Sequence, residues 1–150
     1  MATQQFHAHA RLQDGVKVAV QARQFSITID EPEGLGGTDK GMNPVELLLG
    51  SLAACQSIVA RVYAEQFKVQ LDDFQVEVVG DIDLDGFFGK SGVRPGYSDI
   101  RYNFHIQSPS PQERINRFID HLQKVCPVGD TLANTVKLAL NNVVMNRQAA

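Results

Sequence analysis

The chain has 150 residues, of which 43% are apolar and 21% charged, and it contains no tryptophan. That is enough for one domain, residues 1–150, with a sizeable core. Fourteen basic against seventeen acidic residues give a net charge of −3, and with no basic block this argues against nucleic-acid and anionic-membrane binding. No uninterrupted apolar run reaches the length of a membrane span, and the N-terminus lacks the basic-then-apolar plan of a signal peptide, so the expectation is a cytoplasmic, non-membrane domain.

The first third reads as a β-meander. Residues 4–12 and 16–21 alternate apolar and polar around Asp14-Gly15, a hairpin signal. Phe25, Ile27 and Ile29 continue the period of two until Asp30-Glu31-Pro32 ends it. A glycine-bearing loop follows, from Gly34 to Gly41. It has neither the lysine-hydroxyl spacing of a phosphate-binding loop nor a dinucleotide fingerprint, and is read as a shaped connection.

Asn43-Pro44-Val45-Glu46 opens a helix. Asn43 can cap, Pro44 suits the first helical position, and Glu46 stands three residues after the cap, where it can close a capping box. The helix is expected to run to about Phe67. Its first half is apolar nearly all round, so most faces must be covered. At the usual rise it spans roughly 35 Å, long for so small a domain, and part of its cover is expected from a second subunit.

Two further alternating segments, 74–84 and 97–106, flank a glycine-bearing connection over 86–96. Ser110-Pro111-Gln112-Glu113 predicts a second helix capped by Ser110, with Ile115, Phe118, Ile119 and Leu122 on one apolar face. Asp130 to Asn134 suits a short helical turn, and the alternation of Val136, Leu138 and Leu140 predicts a closing strand. The order β-β-β-α-β-β-α-(short α)-β defines an α+β domain.

Cys55 and Cys126 are 71 positions apart, without a CxxC pair or a Cys/His cluster, which argues against a structural zinc site. Cys55 lies mid-helix beside Ala53-Ala54, and Cys126 ends the second helix before Pro127. Two readings are open. Both thiols can be small core residues, or the fold can bring them together as a redox pair, in which a thiolate becomes a sulfenic acid and condenses with the second thiol. The second reading calls for a nearby cation to lower one thiol pKa.

The run Asp30-Glu31-Pro32, Gly36-Gly37-Thr38-Asp39-Lys40-Gly41 and Asn43 through Cys55, with the later Cys126-Pro127-Val128, resembles the OsmC/Ohr family of osmotically inducible and organic hydroperoxide resistance proteins. The resemblance implies an OsmC-like fold, with antiparallel sheets packed on a long buried central helix in an intertwined homodimer. It also implies thiol-dependent reduction of organic hydroperoxides without metal, flavin or other cofactor, and re-reduction by a dithiol or a lipoyl-bearing protein. Cys55 then matches the peroxide-attacking cysteine and Cys126 the resolving one.

The family also uses an arginine from the early strands to hold the thiolate and a carboxylate from the helix start to hold that arginine. Arg23 and Glu46 are the candidates here, and both depart from the pattern. Val45 stands where the reductases carry the carboxylate, directly after Asn-Pro, and Glu46 comes one residue later. Nine positions before Cys55, Glu46 lies about 180° around the same helix, which favours the capping role unless it acts across a dimer. Arg23 matches an arginine seen in the OsmC-like branch, whereas Arg11 is out of step by two. Arg61, about 120° from Cys55, reads as a solubility or salt-bridge residue, and none of the histidines forms a sequence-evident Cys–His pair. Two rival functions stand beside the peroxidase: a non-catalytic dimeric stress or small-molecule-binding protein, and a cysteine hydrolase, which would have no use for a resolving thiol.

Overall fold

In the computed structural model, which describes residues 3–145, the meander forms a three-stranded antiparallel sheet of β1 (His9–Leu12), β2 (Val18–Ala22) and β3 (Phe25–Ile29). Gly15, at φ +59°, turns β1 into β2, and Arg23, at φ +54°, turns β2 into β3. β1 is shorter than the alternation predicts. The ladder starts at His9, opposite Gln21, and β2 ends one residue later at Ala22, so residues 4–7 have no strand opposite them.

The loop after β3 is wound around one carboxylate. Asp30, buried at the sheet's end, accepts the N–H groups of Glu31 (2.9 Å), Thr38 (3.1 Å) and Lys40 (3.1 Å) and the hydroxyl of Thr38 (2.6 Å). The backbone donors that a phosphate would need are therefore taken by the chain's own side chain. Gly37 and Gly41 are required there, because a Cβ would lie 1.8 Å from the Glu31 carbonyl oxygen and 2.3 Å from that of Thr28.

This loop delivers the chain to α1 (Pro44–Ala64), whose start is the expected capping box. Asn43 Oδ1 accepts the Glu46 N–H and Glu46 Oε2 accepts the Asn43 N–H, each at 2.9 Å. By length and composition α1 could cross a membrane, contrary to the expectation from uninterrupted runs, since Gly50, Ser51, Gln56 and Ser57 interrupt its apolar stretches without lowering its average much. Here it is the central helix of the fold, packed on β4 (Asp73–Asp81), α3 (Gln112–Val125) and α4 (Pro127–Ala133). It stops at Ala64 rather than Phe67. The Val69 N–H reaches back to the Ala64 carbonyl and Lys68 turns at φ +54°.

β4 pairs antiparallel with β5 (Asp99–Gln107), from Asp73 opposite Gln107 to Asp81 opposite Asp99. Their connection, read from sequence as a loop, contains the one-turn α2 (Leu84–Phe87), capped by Asp83. The core lies between α1 and α3 and is made of Val59, Ala60, Ala64, Val69, Leu71, Ile115, Phe118 and Leu122. The fold is α+β, with antiparallel sheets and a long helix.

Two expectations are corrected. Ser110 does not cap α3: its hydroxyl accepts the Gln70 N–H (2.9 Å), and the helix starts behind Pro111 without a side-chain cap. A tertiary donor has won the hydroxyl over the local one. Residues 135–145 form no closing strand, and Leu138 is 97% exposed. Alternation sets which side faces where, but a strand also needs a neighbouring edge, and among the described residues these pair with none. The ends of the domain read over 1–150 lie outside the described residues.

The four hydrogen bonds to Asp30 hold its carboxyl at a pKa of about 2, chiefly through the Thr38 hydroxyl, against an ordinary value of 3.8. A carboxyl depressed in the folded state stabilises the fold above its unfolded pKa and loses that contribution as pH falls toward the folded one. Asp30→Asn is therefore expected to melt several degrees lower at pH 7. It should also lose less stability than wild type between about pH 4 and pH 2, measured by thermal melts across that range.

Candidate active site

Cys55 is set by α1 and Cys126 by the junction of α3 and α4. At that junction Cys126 is extended (φ −74°, ψ 110°), which stops α3, and Pro127 starts α4 in the first helical position. The Cys126 sulfur then serves as the cap, accepting the Gly129 N–H at 3.3 Å. A Cβ on residue 129 would stand 3.4 Å from that sulfur and 3.8 Å from Leu52 Cδ1, in ordinary contact with both, so this turn lies against α1.

The result is a thiol pair. Cys126 Sγ lies 3.3 Å from Cys55 Sγ, with both cysteines reduced. A disulfide bond is roughly 2.05 Å long, so closure needs little more than 1 Å of approach. Cys126 is 1% exposed, whereas Cys55 is half-buried against the core. Burial pushes the Cys126 thiol above its ordinary pKa, and the neighbouring Cys55 adds to the rise against the opposing Gly129 N–H. Cys126 thus keeps its proton and donates it toward Cys55.

On the Cys126 side of the pair lies a cavity of about 670 Å³ bounded by Leu52, Gln56, Arg94, Tyr97, Cys126 and Leu132, among others. Leucines, Ile82 and Ile100 give it an apolar wall. Tyr97 closes the side toward α1, donating its hydroxyl to the Val45 carbonyl at 2.9 Å while its ring fills the space over Gly80, where a Cβ would be 2.6 Å away. Burial, and then the nearby Glu46 charge, push its phenol above the ordinary value, so it stays a donor.

The four residues singled out from sequence are not gathered in one place within the chain. Cys55 and Cys126 meet. Glu46 is engaged in the capping box and faces a groove with Val76 and Val78 of β4. Arg23 sits in the β2–β3 turn with its guanidinium 4.9 Å from the Phe25 ring centre, and among the described residues no guanidinium bonds either sulfur. Arg61 donates to the Leu71 carbonyl (3.4 and 3.5 Å) and ties the end of α1 to β4's approach. His121 packs edge-on against Tyr63 and tilted against Phe67, with ring centres 4.5 and 4.9 Å apart. The sequence reading missed Arg94, Tyr97 and Gln56. Gln56 had one signal, a polar side chain next to Cys55 in an apolar helix, but Arg94 and Tyr97 lie in a segment that carries no cavity signature.

A cysteine on a long central helix, a second cysteine brought against it and two antiparallel sheets make this an α+β protein with a paired-thiol site. Residues 37–141 match the family model of the OsmC-like proteins, and the chain belongs to that family. A hydroperoxide reductase of Mycoplasma pneumoniae is 32% identical over 119 residues, covering 79% of each chain. One of Mycoplasma genitalium is 29% identical over 136 residues, covering 88% of this chain and 89% of that one. The crystal structure of an OsmC-like protein from Mycoplasma pneumoniae superposes with a TM-score of 0.77 at 27% identity, over 88% of this chain and 89% of its own.

The environment of Cys126 has a measurable consequence. In Cys55→Ser, where Cys126 is the sole thiol, its alkylation by iodoacetamide should rise with pH to a midpoint above the free-thiol value of about 8.5, because burial, the larger cause, remains. A midpoint below that value would contradict the protonation assigned to it.

Proposed function

We propose that the protein reduces organic hydroperoxides, with Cys55 as the attacking thiol and Cys126 as the resolving thiol. The observation that carries this reading is the 3.3 Å approach of the two sulfurs, one of which, that of Cys126, borders a cavity with apolar walls. A hydrolase would have no use for the second thiol, and the relatives named hydroperoxide reductase favour the same reaction.

The chemistry follows from the protonation of the pair. The Cys55 thiolate attacks the terminal oxygen of ROOH, so an S–O bond forms and the O–O bond breaks. The departing alkoxide takes the Cys126 proton and leaves as ROH. The Cys126 thiolate so formed attacks the Cys55 sulfenic acid, closing the disulfide and releasing hydroxide. The cysteines have lost two electrons and the peroxide has gained them. An external dithiol, free or on a lipoyl-bearing protein, reduces the disulfide by exchange. The apolar walls suit a hydrophobic R group better than hydrogen peroxide.

The working unit is a homodimer. Ile58 and Val62 on α1 are 64% and 67% exposed, and the β1–β3 sheet packs on neither α1 nor the β4–β5 sheet of its own chain. A second copy supplies the cover both need, and it is the route by which Arg23 of one chain reaches the thiols of the other. Glu46 orders the helix start through the capping box and carries a negative charge toward the groove that the partner fills.

Mass spectrometry of the reduced protein after one equivalent of cumene hydroperoxide should find a single Cys55–Cys126 linkage within one chain. Cys55→Ser should consume no peroxide, and Cys126→Ser about one equivalent, stopping at the sulfenic acid. Two thiols still fully alkylatable after excess hydroperoxide would remove the peroxidase reading.

Sedimentation at micromolar concentration should give a dimer. In that dimer Arg23→Ala should slow both the alkylation of Cys55 and its attack on hydroperoxide by about tenfold or more. A monomer, or unchanged Cys55 rates, would exclude Arg23 as the activating cation.

A further inference from the structure

Helices usually bury polar side chains only with partners, because an unpaired acceptor shut away from water destabilises the fold. Gln56 breaks this rule. It is 2% exposed, and its carboxamide oxygen has no hydrogen-bond partner. The other such atom among the described residues is Nε2 of His121, which belongs to the aromatic cluster with Tyr63 and Phe67. Gln56 instead follows Cys55 directly on α1 and lines the same cavity as Cys126.

A carboxamide has an acceptor at one end and two donors at the other, and its terminal torsion is soft, so either end can be turned to the cavity. Neither cysteine takes up the acceptor: the Cys126 thiol is directed at Cys55, and its sulfur already accepts from Gly129. The missing partner is therefore a donor that enters with a ligand. A hydroperoxide brings one O–H, on the oxygen that is to be transferred.

We propose that Gln56 is a substrate-binding residue that accepts the O–H of the hydroperoxide and so orients its terminal oxygen toward Cys55. When the S–O bond forms and the O–O bond breaks, that oxygen keeps its hydrogen and becomes the sulfenic acid O–H. Gln56 can hold the same hydrogen before and after transfer, until Cys126 displaces the oxygen as hydroxide. The contact is with the group common to every hydroperoxide, so it sets reactivity toward the –OOH class and not the choice of R. This inference rests on the peroxidase reading above.

The test uses Gln56→Met, which keeps length and flexibility, and Gln56→Leu as a second apolar variant. Both should lower kcat/KM by about tenfold for cumene hydroperoxide and for hydrogen peroxide alike, the cost of one hydrogen bond made in the transition state. Neither should lower the melting temperature, because an unsatisfied acceptor has been removed. Alkylation of Cys55 by iodoacetamide, which carries no –OOH group, should keep its wild-type rate and pH profile. Wild-type kcat/KM in both variants would overturn the proposal. So would a parallel loss of alkylation, which would make Gln56 a partner of the thiol, or destabilisation of both variants, which would make it a paired structural residue. A wild-type protein that forms no disulfide with hydroperoxide would remove instead the reading on which this one stands.

Discussion

Everything at the thiol pair depends on how closely α3 lies against α1. Ala60 and Ala64 present almost no side chain on the contact face, and Phe118 and Leu122 fill the space they leave, with Ala60, Phe118 and Leu122 fully shielded from water. Burying a phenylalanine and a leucine to this extent is worth about 2–3 kcal/mol each, which is large against the net stability of a small domain. Cys55 lies one turn before Val59 on α1, and Cys126 directly follows the end of α3, four residues after Leu122, so the apolar contact also sets the distance between the sulfurs. A cavity opened at Leu122 would cost about 2–5 kcal/mol in stability, and would loosen the geometry on which disulfide closure relies.

The second organising group is Asp30. The loop from Glu31 to Gly41 contains four glycines and a residue in the left-handed region, Asp39, all of which raise the entropy lost on ordering. A single buried carboxylate accepting four hydrogen bonds offsets that loss and brings the end of β3 to the start of α1. The Asp30 N–H in turn donates to the Met42 carbonyl, one residue before the Asn43 cap. The sheet and the helix are thus joined through a rigid connection, although they do not pack on each other. A sheet held out from its own helix in this way is disposed to pack on another copy, in keeping with the dimer proposed.

What could be read from the sequence follows the range of the interactions concerned. The capping box of Asn43 and Glu46 depends on residues three apart and was legible. So were the Asp14-Gly15 hairpin, the apolar face of α3 and the order of the strands and longer helices up to α4, though not the one-turn α2. Ser110 was misread because its hydroxyl serves Gln70, 40 positions away. The tail was misread because alternation carries no information about whether a strand edge is available. The thiol pair was an open alternative from composition, and only the resemblance to a family favoured it. The 3.3 Å approach now gives it a geometry. Arg94 and Tyr97 were out of reach, because a cavity is made by segments that meet only after folding, whereas Gln56 left one signal, its polarity beside Cys55 in an apolar helix.

The unequal burial of the two cysteines bears on the order of events. In a pair of equivalent thiols, either could react first and the partner could be ionised at the wrong moment. Here burial keeps Cys126 protonated, and its proton is directed at Cys55. On the proposed mechanism that proton leaves only when an alkoxide is formed to take it. Cys126 therefore becomes a nucleophile when Cys55 has become the electrophile, and not before. A sulfenic acid beside a nascent thiolate, little more than 1 Å from bonding distance, has a short lifetime, which limits its further oxidation. On that proposal, the same burial that makes Cys126 a poor first nucleophile makes it a well-timed second one.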